Sequence, residues 1–200
     1  DLLVPLGDFE NTTRQGINGA IFALLALDCG GYEIPENPDA AVQATRELYL
    51  GEILDREIPG GGWALTGDAP DVDLTAMALQ ALAKYRDRAE VDVAVERGLN
   101  VLSDMQSANG SYFSWGAANS ESLSQVIVAL CELGIPLDDA RFVKNGRTVR
   151  DALMDFALDD GSFCHVLDGS GGNDLLATEQ AFYALAAIAR AEAGKTTLYD

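Results

Sequence analysis

A block of about fifty residues recurs along this chain, and each copy ends in the same Ala-Leu pair. The pairs are Ala26-Leu27, Ala81-Leu82, Ala129-Leu130 and Ala184-Leu185. Before three of them stand glycine-aromatic loops: Gly60-Gly61-Gly62-Trp63, Asn109-Gly110-Ser111-Tyr112-Phe113-Ser114-Trp115 and Asp160-Gly161-Ser162-Phe163. Self-similarity at such a period marks a repeat architecture in which each unit buries its apolar face only against its neighbours. Function is then to be sought in what departs from the repeat.

Two kinds of helical segment alternate within the blocks. Segment 15–27 (QGINGAIFALLAL) is apolar on nearly every side toward its end, the pattern of a helix surrounded by protein, and reads as an inner helix. Segment 39–58 mixes Val42, Leu48, Leu50, Ile53 and Leu54 with Arg46, Glu47, Glu52, Asp55 and Arg56, which leaves one face for water and predicts an outer helix. The succession returns as 71–85 inner, 91–105 outer, 120–133 inner, 149–158 outer and 174–191 inner. No strand-period alternation is sustained, and Gly, Pro, Asn and Asp punctuate the connections. The expected fold is all-α, a single repeat domain over residues 1–200. Asp71, Ser120 and Asn173 or Asp174 stand where N-caps are needed, and acids there also suit the positive end of the helix dipole.

An apolar content of 48% in 200 residues suffices for one domain with a real core. Thirty-two acidic against thirteen basic residues, a net charge of −19, exclude phosphate backbones and anionic lipids as natural partners. No apolar run reaches the roughly 20 residues that cross a bilayer, so the chain is not expected to be transmembrane. Its first residues lack the basic, apolar and small-residue succession of a signal peptide, and the chain opens as though already cut. Cys29, Cys131 and Cys164 are odd in number and share no short spacing, which argues against a disulfide framework or a paired-cysteine zinc site and predicts buried free thiols.

Arg97-Gly98, followed by Gln106-Ser107-Ala108-Asn109-Gly110-Ser111 and an aromatic cluster, resembles the QW motif of squalene–hopene cyclases and related α/α-toroid proteins. Pro70-Asp71-Val72-Asp73-Leu74-Thr75-Ala76 resembles the cyclases' Asp-x-Asp-Asp-Thr-Ala signature. Segments 60–85 and 175–200 are similar to prenyltransferase-like and squalene-oxidase-like repeat domains of bacterial secreted and cell-surface proteins. The resemblance implies a partial α/α toroid of the terpenoid cyclase and protein prenyltransferase type, with four inner and three outer helices, and a secreted or cell-surface location. A closed toroid of six pairs needs roughly 300 residues, so the chain is about two pairs short. It is expected to be a fragment of a longer chain, or to have its open apolar flank at segment 15–27 covered by a second copy, as in a homodimer, or by a neighbouring domain. The superfamily includes cyclases, prenyltransferases, cobalamin carriers and complement thioester domains, so fold alone does not select a function.

Aligning the Ala-Leu endings sets Asn18, Asp73, Glu121 and Leu176 in register, with Ala20, Thr75, Leu123 and Thr178 two residues later. Their polar members would converge at the N-terminal ends of the inner helices, where Gln15, Asp71, Ser124, Gln125, Glu179 and Gln180 would add to the wall. Convergent polar groups at the mouth of an apolar bundle suit a ligand, and equally suit helix capping. Asp73 matches, by resemblance, the cyclase aspartate that protonates an alkene, but the signature's last Asp is Leu74 here. The inner helices offer few aromatics, chiefly Phe22, Phe182 and Tyr183, to stabilise migrating cations. The sole histidine, His165, beside Cys164, Asp159 and Asp160, reads as a solvated loop residue and not a zinc ligand. The 168–174 stretch with Glu179 resembles a calcium loop but lacks its turn glycine and reads as a flexible turn. Trp63 and Phe163 read as packing residues, whereas Trp115 is equally suited to stacking on a ligand.

The combination points to a non-enzymatic domain that presents a cleft to a small molecule, glycan or protein partner, with Asp71, Asp73, Thr75, Trp115, Glu121, Gln125, Glu179 and Gln180 as its binding residues. No metal or other cofactor is called for. Two alternatives stand beside it: an enzyme with Asp73 and Glu121 as acid and base, acting on a glycan or terpenoid, and a structural spacer whose open flank mediates assembly.

Overall fold

A computed structural model describes residues 3–114, 116–167 and 172–200. Its helices are α1 (Phe9–Thr13), α2 (Ile17–Asp28), α3 (Arg46–Asp55), α4 (Val72–Leu82), α5 (Ala89–Met105), α6 (Ser120–Glu132), α7 (Val149–Met154) and α8 (Leu175–Glu192). Side chains start most of them: Asp8, Thr45, Asp71, Asn119, Thr148 and Asp174 each accept a first-turn N–H, and Thr148 with Asp151 forms a capping box. α2, α4, α6 and α8 pack side by side in chain order, while α3 lies on α2, α5 on α4 and α7 on α6. This is the expected inner row backed by outer helices, and the fold is an all-α toroid arc.

Bonds at the helix ends fix the directions. Arg46 at the start of α3 reaches Asp28 and the Leu27 carbonyl at the end of α2, whereas Ile53 near the end of α3 accepts the Trp63 indole N–H ahead of α4. Tyr85, just past α4, donates to Asp28 at 2.7 Å, so the ends of α2 and α4 lie together. Inner helices therefore run the same way and outer ones return.

The repeat has a common loop. Ile58, Ser107 and Leu158 each donate an N–H to the carbonyl four residues on, at 2.8–2.9 Å, and accept one from Gly61, Gly110 and Gly161. Those glycines have φ of 112°, 88° and 86°, a region that side chains disfavour. In two copies the loop aromatic is then tied to the next inner helix. Trp63 accepts the Asp71 N–H and exchanges bonds with the Thr75 hydroxyl, and Phe163 does the same with Asp174 and Thr178. Gly98 completes the first copy: an added Cβ would stand 3.0 Å from both the Trp63 ring and Leu79. Gln106 donates to the Gly110 and Phe142 carbonyls and so joins α5 to two loops.

Several expectations need correction. The outer helix expected over 39–58 begins only at Arg46, because 42–44 use their backbone groups on 7–9: Phe9 N–H to Val42 and Ala44 N–H to Gly7. The one expected over 149–158 stops at Met154, since Phe156 and Leu158 pair with the following loop instead. A two-residue antiparallel ladder, β1 (Phe113–Ser114) with β2 (Ala117–Ala118), stands where no strand was expected. α1 was not anticipated, and α6 is capped by Asn119 instead of Ser120. Cys131 and Cys164 are buried thiols as expected, but Cys29 is exposed at the end of α2.

Thr75 and Trp63 are both fully buried, so the tie between them is shielded from water. Thr75→Val keeps the shape and leaves the Trp63 N–H unpaired. The expected loss is about 1–3 kcal/mol, read as a lower urea midpoint at unchanged m-value.

Candidate functional site

The third repeat breaks the pattern, and the break builds a polar cluster. Leu123 stands where the second and fourth copies have Thr75 and Thr178, so it offers no hydroxyl to its loop. The start of α6 turns instead to the following repeat: Asn119 bridges Val166, and Ser120 gives its N–H to His165 and its hydroxyl to Cys164 at 2.9 Å. That exchange carries His165 beside Glu121, with Nδ1 2.9 and 2.8 Å from the two carboxylate oxygens. The β1–β2 hairpin meanwhile lays Ser114 against the start of α4, its hydroxyl 3.4 Å from both Asp71 Oδ2 and Asp73 Oδ2.

Asp71 is already used, since its other oxygen caps Leu74 at 2.9 Å. Asp73 accepts from Ser114 through Oδ2 alone: its Oδ1 is buried, and among the described residues neither it nor, at the matching place on α2, Asn18 Oδ1 has a hydrogen-bond partner. Burial holds the Asp73 carboxyl above the ordinary carboxylate range, and the Asp71 and Glu121 charges add to this, while the Ser122 and Ser114 hydroxyls act the other way. Beside Asp71 and Ser114 opens a cavity of about 390 Å³, floored by Leu65, Val72, Leu74 and Met105 and edged by Phe113, which is 60% exposed. The cluster can accept hydrogen bonds, hold a cation or a hydroxyl, and keep one carboxyl protonated more readily than usual.

Of the residues singled out from the sequence, Asp71, Asp73 and Glu121 gather at this mouth. Gln125 and Gln180 lie one helical turn deeper, joined to each other at 3.1 Å, and Gln125 accepts from Gln80 at 2.9 Å. This chain of amides links α4, α6 and α8. Thr75 is in the core, occupied by Trp63, and does not face the cleft. Ser124 is buried on the Ser120 carbonyl. Gln15 and Glu179 are exposed, and among the described residues no hydrogen bond joins either to the cluster. Trp115 and the 168–171 part of the loop resembling a calcium site lie outside the described residues. His165 is exposed, as a loop histidine should be, yet it is paired. Among the described residues no three His, Cys, Asp or Glu side chains are grouped to hold a metal ion, and no helix is long and apolar enough to cross a membrane. Ser114 and Gln80 carried no signal in the sequence. The hairpin delivers the first, and the second reads as one more polar residue on a helix.

A family model for the squalene-hopene cyclase C-terminal domain matches residues 51–159, more than half of the chain. The chain belongs to this family. The match runs from α3 past α7, so the cyclase-like region contains Asp71, Asp73, Ser114 and Glu121 but stops short of His165. A search of curated proteins finds no match to the chain. Family membership agrees with the helical arc and its repeated loops. It leaves the chemistry of the mouth to be argued from the mouth itself.

A carboxyl whose pKa is raised by folding weakens the native state as pH climbs from the unfolded pKa through the folded one, and has no effect below both. Asp73→Asn is therefore expected to raise Tm at pH 7, with the gain vanishing once the pH falls below the ordinary carboxylate range. Thermal unfolding followed by circular dichroism across that range checks it. Identical curves at every pH would mean burial is not the dominant influence on Asp73.

Proposed function

We propose that this cyclase-like domain is a non-enzymatic binding module of a secreted or surface protein, taking a donor-rich small molecule or glycan at the N-terminal ends of its inner helices. The observation that carries the proposal is the buried Asp73 Oδ1, which has no hydrogen-bond partner among the described residues. A buried acceptor left unpaired is costly, and a ligand hydroxyl or amine that reaches it recovers that cost on binding. Glu121 with His165 supplies a second polar anchor at the same mouth. The apolar floor and exposed Phe113 suit the carbon face of a sugar or a comparable ring.

Binding is favoured over cyclisation by what stands in place of the signature's last acid. Leu74 lines the apolar cavity there, so Asp73 lacks that neighbouring carboxyl as a proton partner. The raised Asp73 carboxyl favours one second reading, general acid catalysis by Asp73 with the Glu121–His165 pair as base.

Ligand-observed NMR with a panel of neutral oligosaccharides, amino sugars and terpenoid alcohols tests both readings. Binders are expected among the hydroxyl- or amine-rich members, and Asp73→Asn with Glu121→Gln should weaken them at least about tenfold, roughly 1.4 kcal/mol, without lowering Tm. An unchanged affinity would remove the mouth as the site. Turnover of a bound compound that ceases in Asp73→Asn would replace the binding reading with the enzymatic one.

A further inference from the structure

The inner helices carry a second polar constellation at their opposite ends. Gln80 and Lys84 on and just after α4, Glu132 on α6, and Tyr183 and Arg190 on α8 all engage segment 196–200. Glu132 accepts the Leu198 N–H at 2.8 Å, with the Tyr199 N–H and Thr197 hydroxyl also supporting its charge. Lys84 pairs with Asp200 at 2.9 Å. The Tyr199 hydroxyl reaches Gln80 Oε1 and hydrogen-bonds to the Tyr183 hydroxyl, and Arg190 holds both the carbonyl and the hydroxyl of Thr196 at 2.8 Å. Turn N–H groups on a carboxylate, a phenol on an amide and an acid on an ammonium are how a receptor holds a peptide turn.

Two features separate seat from occupant. Parts of the seat are held by partners outside the segment: Gln80 is anchored by Gln125, and Lys84 also donates to the Asp28 carbonyl at 2.8 Å. The segment is held lightly. Its ion pair is half exposed and so of small worth, its apolar groups Leu198 and Tyr199 are only partly buried, and a cavity of about 640 Å³ lined by Cys131, Ile135, Leu137 and Ile188 undercuts it at Thr197 and Leu198. Segments with few buried contacts open locally well before the whole domain does.

We propose that this seat is a receptor for a short peptide turn carrying a tyrosine followed by an acidic residue, and that segment 196–200 is its displaceable occupant in cis. The seat lies at the other end of the inner row from the mouth, with the Gln80–Gln125–Gln180 amides between them, and its test is read on the peptide alone.

The test uses the full chain and a fluorescently labelled peptide Thr-Thr-Leu-Tyr-Asp. Emptying the seat by Leu198→Gly/Tyr199→Gly/Asp200→Gly is expected to give saturable peptide binding, at least about tenfold tighter than to the unaltered chain, because an occupied site lowers apparent affinity by the fraction that is free. Adding Lys84→Glu to the emptied chain should then weaken the peptide at least about tenfold. No saturable binding by a folded emptied chain, equal binding by both chains, or indifference to Lys84→Glu each overturns the proposal. Hydrogen exchange on the unaltered chain decides independently of how the variant folds. The Leu198 and Tyr199 amides should exchange at least about a hundredfold faster than those in the middle of α6, and exchange at the α6 rate overturns displacement.

Discussion

An inner helix has to begin against something, because its first N–H groups have no partner inside the helix; at α4 the Asp71 side chain caps them, and the backbone of one loop aromatic holds that cap in place. Trp63 accepts from Asp71 and trades bonds with Thr75, its ring lies against Gly98, and its indole donates to Ile53. One fully buried residue thus joins a loop, the inner helix that follows it and the outer helices on either side. Phe163 repeats the backbone part of this arrangement ahead of α8. At α4 and α8 the tie sets the start of the inner helix relative to its loop, whereas α6 takes its place in the row through bonds to the next repeat.

The polar mouth exists where that tie is missing. With Leu123 in place of a threonine, the start of α6 finds its partners in the next repeat, and His165 comes to Glu121 as a consequence. Tyr112 occupies the place of Trp63 but buries its hydroxyl without a partner among the described residues. Strain on hydrogen bonding is therefore concentrated in the third repeat, beside Asp73. Local departures of this kind are expected where a repeat protein gains a site, since the regular units serve packing.

The strong negative charge is managed mainly at the surface. Arg88 with Glu47, Arg97 with Glu57 and Arg150 with Glu192 tie parts of the chain that are far apart in sequence. Such exposed pairs add little stability individually and act as guides for which surfaces meet. Asp73 and Glu132 differ from these, as carboxyls kept where burial disfavours their charge.

Period, amphipathic pattern and the Ala-Leu register were legible in the chain, because they arise from apolar residues that must face one another whatever the details. They predicted the all-α class, the alternation of inner and outer helices, and the matched positions of Asp73 and Glu121. Helix ends were less legible: α3 and α7 are shortened because neighbouring segments claim their backbone groups, and no local pattern encodes that competition. The roles of Thr75, Ser114, Gln80 and His165 were decided only by tertiary structure. Each depends on a partner at least 12 residues away, Trp63, Asp73, Gln125 and Glu121 respectively. Hydrogen bonding is directional and short-ranged, so a polar residue acquires its role only when the fold has chosen its neighbour, whereas burial is collective and can be read from periodicity alone.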